Sequence, residues 1–221
     1  MATVVVTGAN RGIGLEYCKQ FLEHSDSVIA LCRQTGDELQ ALDCRVEEGI
    51  DVSSDECVAI IRDRLKDVSR VDVLVNNAGL LTNETLVDLN YDRMRRQFEI
   101  NTLGPLRVTE ALKEKLVSGA KIAMMTSRMG SVADNTSGSR YGYRISKAAL
   151  NIASVSLVHD LKSEGVAVAI LHPGYVRTDM TGMSGNIDTK ESVCGLMQRI
   201  EGLTLENSGT FWHANGEVIP W

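Results

Sequence analysis

The chain has no run approaching ~18 apolar residues. Met1 is followed almost at once by Val4-Val5-Val6, with no basic leader in front. Neither a membrane-inserted helix nor a secretory leader is expected, so the chain reads as cytoplasmic. It also lacks a C-x-x-C pair: its five cysteines, Cys18, Cys32, Cys44, Cys57 and Cys194, are odd in number and widely spaced. The four histidines show no ligand spacing. Free thiols and no metal are the expectation. Positive charge is short as well. A formal net charge of -6 excludes a general nucleic-acid binder but leaves room for a local basic pocket. Internal repeats, low-complexity tracts and linkers are absent, so residues 1–221 are expected to form one domain.

What is present is globular in character: 43% apolar and 24% charged residues over 221 positions. Strand-like and helix-like stretches alternate from end to end. That alternation predicts an α/β fold with one doubly wound parallel sheet, about seven strands with helices on both faces.

The β-branched run Thr3 to Thr7 stops in Gly8-Ala9-Asn10-Arg11-Gly12-Ile13-Gly14, and a helical pattern follows through Leu15, Cys18, Phe21 and Leu22. Glycines let backbone approach a pyrophosphate, and the free N–H groups of the next helix attract it. The spacing is G-x-x-x-G-x-G, not the general G-x-G-x-x-G, and a plain tight turn would look the same. A second strand, Ser27 to Cys32, ends in Arg33, where a dinucleotide fold tests the adenosine ribose. An acid there would favour NAD, and none is present. Arg33 with Arg11 instead suits a 2′-phosphate. Gly49 to Val52 reads as a small strand, with Asp51 placed either to bond adenine or to cap a helix starting near Ser53 and Ser54. The apolar strand Val71 to Val75 runs into Asn76-Asn77-Ala78-Gly79, as a central strand facing a ligand would.

From Tyr91 to about Leu116 a helical pattern is interrupted at Asn101, and Gly104-Pro105 predicts a kink that frees backbone carbonyls. The strand Lys121 to Thr126 delivers Ser127 at its carboxyl end; Ser131 competes with it, and spacing does not separate the two. A long helix then begins near Tyr143-Arg144-Ile145-Ser146-Lys147. Residues four apart share a helix face, so the Tyr143 phenol and the Lys147 ammonium can serve one site. A phenol ionises near ~10, and exchanging protons at neutral pH asks for about 4 kcal/mol in favour of the phenolate. One cation at ~4 Å supplies that much at an effective dielectric of ~20. Tyr141 has Ile145 as its partner and gains nothing of the kind.

A sixth strand, Val166 to Leu171, leads into His172-Pro173-Gly174-Tyr175-Val176-Arg177-Thr178-Asp179-Met180. The run from Thr181 to Gly185 reads as a lid or an ordinary loop, with Met180, Met183 and Tyr175 suited to an apolar, adaptable pocket. Asp188 with Glu191 predicts a helix start, Gly209 to His213 a last strand, and Asn215-Gly216 a turn. Trp212 and Trp221 read as packing residues.

Together these residues resemble the short-chain dehydrogenase/reductase family over nearly the whole chain, and most closely its C-factor and sniffer-like carbonyl reductases. Thr7 to Gly14 is similar to the family's cofactor motif and Asn76 to Gly79 to its sheet-stabilising motif. The closer likeness rests on NTLGPLRVT (Asn101 to Thr109), TSRMGS (Thr126 to Ser131), YRISKAALN (Tyr143 to Asn151), HPGYVRTDM (His172 to Met180) and the ending Ile219-Pro220-Trp221. The resemblance implies an NADP(H)-dependent reductase of small carbonyl compounds with the Rossmann fold and the tetrad Asn101, Ser127, Tyr143 and Lys147. Ser127 is preferred because Gly130 completes the family's S-x-x-G context. The implied cofactor contacts are Gly8, Asn10, Arg11, Gly12, Ile13, Gly14, Arg33, Asp51, Asn77, Ala78, Gly79, Tyr143, Lys147, Pro173, Gly174, Val176 and Thr178. Lys147 would depress the Tyr143 pKa and hold the nicotinamide ribose, and Asn101 would anchor a water joining Lys147 to solvent. A homodimer or homotetramer is implied, and C-factor likeness raises an alternative, a signalling or sensor protein in which turnover is secondary.

Overall fold

The computed structural model describes residues 1–221. Seven strands form one sheet in the order β3-β2-β1-β4-β5-β6-β7, every neighbouring pair parallel. They are β1 (Thr3–Thr7), β2 (Ser27–Leu31), β3 (Arg45–Glu47), β4 (Val71–Asn76), β5 (Leu116–Met125), β6 (Ala167–His172) and β7 (Phe211–His213). The main helices are α1 (Gly12–Glu23), α2 (Asp37–Gln40), α3 (Cys57–Arg64), α4 (Tyr91–Phe98), α5 (Gly104–Leu112), α6 (Tyr141–Leu161) and α7 (Thr189–Glu201).

Side chains alternate across a strand, and both faces of this sheet are buried. Val4, Val6, Ala30 and Val75 face α1 and α7, meeting Leu15, Phe21, Val193 and Leu196. Val5, Leu74, Ile122 and Val168 face the other way onto Ile61, Val108, Leu112 and Leu150. This is the doubly wound α/β sheet the alternation predicts. No helix is long and apolar enough to cross a membrane.

The chain leaves β3 at one edge and returns beside β1 as β4, so the strand order reverses between β1 and β4. A crevice opens at the carboxyl ends of strands where such a reversal occurs.

Three boundaries differ from the sequence reading. The third strand is Arg45–Glu47, not Gly49 to Val52. Gly49, at φ +83°, turns the chain out of the strand, although Ile50 N still donates to Cys32 O at 2.9 Å. β5 begins at Leu116, and its register against β4 jumps between Val71 and Val73, so polar Ser118 and Gly119 lie in a bulge. The interruption at Asn101 is not a break: residues Glu99–Leu103 form a π-helical turn joining α4 to α5, with Pro105 in the first turn of α5, where its missing donor costs least.

Candidate active site

The crevice is built first from backbone. Gly8 has φ +64°, and a Cβ there would lie 2.9 Å from Ala78 Cα. A Cβ on Gly14 would lie 2.2 Å from Gly8 O, so the two glycines let α1 seat directly against the turn that precedes it. Thr7 Oγ1 accepts from Asn77 N and Ala78 N at 2.9 and 3.0 Å, and Asn77 Nδ2 donates to Thr7 O at 3.0 Å. These bonds lock the end of β4 to the glycine turn. No side chain caps α1, which leaves N–H groups of its first turn facing the cleft.

Gly8, Asn10, Arg11, Gly12 and Ile13 line one end of the cleft; Asn77, Ala78 and Gly79 form its floor, and Arg33 and Asp51 its far wall. Gly14 does not line it and acts by packing. Arg33 makes no ion pair with the protein. Arg11 does: its guanidinium meets the Asp179 carboxylate at 2.8 Å across the cleft mouth. The paired arginine clamp expected from sequence is therefore half engaged elsewhere, because the segment after β6 folds back over the glycine turn. Asp51 does not cap α3, which starts at Cys57. Its Oδ1 accepts from Ser53 N and Ser53 Oγ at 3.0 and 2.7 Å, closing a tight turn. Burial resists its ionisation, but Ser53, Arg33 and Arg96 hold it below the usual carboxylate value.

Tyr143 is the third residue of α6 and Lys147 stands one turn on. Both are buried and line the cleft. Lys147 Nζ sits 5.7 Å from the centre of the Tyr143 ring and donates to Met125 O at 2.7 Å. Tyr141, by contrast, does not reach the cleft. The depression of the phenol expected from the spacing is absent. Burial raises Tyr143 to about 12, opposed by the Ser127 hydroxyl and by Arg140. Burial also lowers Lys147 to about 7. Two groups taken out of water each resist charge, so neither serves as a strong counter-ion for the other.

Ser127 is buried and its Oγ accepts from Met129 N at 3.1 Å, which leaves its proton free to give. Ser131 Oγ accepts from Asp134 N at 3.1 Å in the same manner, and what separates the two serines is that the Ser127 hydroxyl bears on the Tyr143 phenol. The glycine three residues after Ser127 has a physical reason. A Cβ on Gly130 would lie 2.8 Å from the Lys147 carbonyl carbon, so Gly130 lets this loop pack against α6.

Asn101 is fully buried in the π-helical turn. Its Oδ1 accepts from Leu80 N at 2.7 Å, and its Nδ2 donates to Leu80 O and Ser146 Oγ at 2.8 and 3.0 Å. The side chain braces the β4–α4 connection against α6 and does not face the cleft.

Of the residues after β6, Pro173 and Thr178 line the cleft, whereas Gly174 and Val176 do not. Val176 is buried and bridged to Ile187. The run read as a lid or an ordinary loop is a loop folded on itself: Tyr175 O accepts from Asn186 N at 2.7 Å, and Thr181 Oγ1 donates to Val176 O at 2.7 Å. Residues Thr178 to Met180 lie across the cleft from Gly12 to Gly79 as a strap. Sequence reasoning missed Asp179, Cys32, Ile100 and Thr126, all of which line the cleft. An acid beside Thr178 was visible, but a partner 168 residues away leaves no local signal.

The positive-φ glycines, the uncapped helix start and the unpaired Arg33 fit a phosphorylated dinucleotide, with Tyr143 and Lys147 at the other end of the same cleft; Ser127, buried beside the phenol, does not itself line it. Known proteins agree. A model of the short chain dehydrogenase family matches residues 2–188. The chain is 43% identical, over the full length of both proteins, to 1-hydroxy-2-glutathionyl-2-methyl-3-butene dehydrogenase of Rhodococcus sp. (strain AD45). It is 49% identical to the C-signal of Myxococcus xanthus over 154 residues, 68% of this chain and 93% of that one. Among solved structures, an NADPH-bound carbonyl reductase from chicken fatty liver superposes with a TM-score of 0.89 at 30% identity, covering 100% of this chain and 99% of the other. A cleft lined by positive-φ glycines at the reversal of strand order and a family match over residues 2–188 thus converge: the chain belongs to the short-chain dehydrogenase family of oxidoreductases.

Proposed function

We propose that the protein is an NADPH-dependent reductase of small aldehydes or ketones, with Tyr143 as proton donor. The observation that carries this is the burial of Tyr143 and Lys147 side by side on α6, with the Ser127 hydroxyl beside the phenol. Ser127 bonds the substrate oxygen as negative charge develops on it. Tyr143, whose burial keeps it protonated at neutral pH, gives its proton to that oxygen. Lys147, which donates to Met125 O at 2.7 Å, would hold the nicotinamide ribose. The glycine turn and the α1 N-terminus would hold the pyrophosphate, Arg33 the 2′-phosphate and Asp51 the adenine. NADPH supplies the hydride when bound.

The NADPH in the chicken carbonyl reductase supports this choice of cofactor. The first relative, named as a dehydrogenase of a hydroxy compound, supports a reaction that runs in either direction. Exposed Tyr91 and Phe98 on α4, with Ile145 and Ile152 on α6, support pairing of two copies through these helices as a homodimer or homotetramer.

Tyr143→Phe is the test. Carbonyl reduction should fall by roughly 10²- to 10⁴-fold, the usual contribution of a positioned acid/base group, with NADPH affinity retained. A variant that keeps most of its activity would sink the assignment.

A second reading is favoured by the likeness to the C-signal: a signalling protein in which turnover is secondary. If Tyr143→Phe abolishes catalysis while the biological effect survives, this reading replaces the first.

A further inference from the structure

Glu84 is a carboxyl group with 0% exposure, and no lysine or arginine forms an ion pair with it. It lies in the connection between β4 and α4. Its two oxygens take the Thr82 hydroxyl and Gln97 Nε2, the latter at 3.2 Å. Gln97, on α4 and also fully buried, accepts from Thr82 N through Oε1 at 3.0 Å. Every polar atom of this pair is thus committed to one arrangement.

The arrangement reaches Tyr143. Arg140 N donates to Glu84 O at 2.6 Å, and Arg140 Nε donates to Asn83 Oδ1 at 3.0 Å. Ser139 and Arg140 both hold left-handed backbone, at φ +53° and +52°, a conformation that such residues keep only when neighbours impose it. Gly142 comes next but one, and a Cβ there would lie 2.3 Å from Gln97 Nε2 and 3.0 Å from Met94 Cα. The first turn of α6 therefore sits on the Gln97 amide, with Tyr143 the next residue along.

We infer that Glu84 and Gln97 are positioning residues for Tyr143: a buried polar knot that ties the β4–α4 connection, α4 and the first turn of α6 together, and so sets how far the phenol reaches into the cleft. Neither touches the reacting atoms. They act through the helix start, and a displacement of about 1 Å at an acid/base group costs up to roughly a hundredfold in rate.

The donor and acceptor roles supply a test. Gln97→Glu sets oxygen against the oxygen of Glu84, whereas Glu84→Gln can turn its amide to keep an oxygen on Gln97 Nε2 and give its NH₂ to the Thr82 hydroxyl, so Gln97→Glu is the disruptive single change. The double exchange restores every pairing with the roles reversed. Because this rests on Tyr143 being the acid/base group, one readout needs no turnover: the ring NMR resonances of Tyr143 at neutral pH, assigned by their loss in Tyr143→Phe.

Gln97→Glu should lose roughly tenfold to a hundredfold in kcat for carbonyl reduction, with KM for NADPH within about twofold, and should shift or broaden the Tyr143 resonances. The double exchange should recover kcat to within about threefold and restore the resonances. Gln97→Glu with native kcat and native Tyr143 resonances would overturn the inference. So would a loss that appears only as a lower Tm and does not recover in the double exchange. If the native chain reduces no carbonyl at all, the proposed reaction fails, and the resonances still decide whether the knot holds Tyr143.

Discussion

Arg33 and Arg11 face one cleft, yet only Arg11 is paired within the chain. The difference decides where cofactor selectivity should reside. Replacing Arg33 by an acid removes the free cation and sets a carboxylate against the 2′-phosphate. Arg33→Asp should weaken NADPH binding by roughly 10- to 100-fold, the worth of one hydrogen bond to a charged group. NADH binding should hold or improve, and Tm should stay put because the side chain is exposed. The check is the ratio of the two dissociation constants by fluorescence titration; an unchanged ratio would refute the role. At this scale the sequence was a good guide to which side chains meet: the four-residue spacing placed Tyr143 and Lys147 together, and the missing acid after β2 singled out Arg33. It was a poor guide to their state. Ionisation depends on burial by segments far away in the chain, so the phenol that spacing suggested would be depressed is raised instead. Glu84, in a connection, and Gln97, on α4, escaped notice for the same reason, since nothing in the local sequence marks either polar side chain as buried.

Among the elements, those with long apolar patterns were legible and the short ones were not. Val4 to Val6, Val71 to Val75 and the run through α6 announce themselves by composition. β3 has three residues at a sheet edge, and its bonds to β2 rather than its own apolar content make it a strand. The π-helical turn was foreshadowed by Pro105, but a widened turn and a kink share that signal. The carboxyl end of β6 carries a further consequence. Burial lowers His172 to about 3, with His213 and Arg128 adding to it, and its Nδ1 has no hydrogen-bond partner. The unfolded chain takes up this proton near its ordinary value of 6.5, whereas the folded chain refuses it until about pH 3. Between those values the unfolded state binds more protons, so folding stability falls as pH falls, by roughly 4 kcal/mol over the window for this one group. His172→Gln should flatten that acid limb in urea denaturation series run from pH 6.5 downward. A variant as acid-sensitive as the native chain would place the loss elsewhere.

For the molecule as a whole, the alternation of strand and helix was enough to foresee a seven-stranded parallel sheet and the end of it at which the cleft opens. What alternation does not encode is how the two halves of the sheet meet over that end. There the strap from Thr178 to Met180 crosses the cleft, and the Arg11–Asp179 pair fastens it. A dinucleotide held by the glycine turn would pass beneath the strap, and we expect its exit to wait on the parting of this pair. Exposed pairs of this kind are worth at most about 1 kcal/mol, which in kinetic terms is a few-fold change in an exit rate. Asp179→Asn should therefore speed dissociation of the oxidised cofactor a few-fold in stopped-flow displacement. Added salt should then accelerate exit less in Asp179→Asn than in the native chain, because the pair that salt screens is already gone. Equal exit rates at low salt would mean that the strap does not guard the door. If it does, the steady-state clock of this protein runs on departure rather than on chemistry, and its pace is set by how much salt surrounds one surface ion pair.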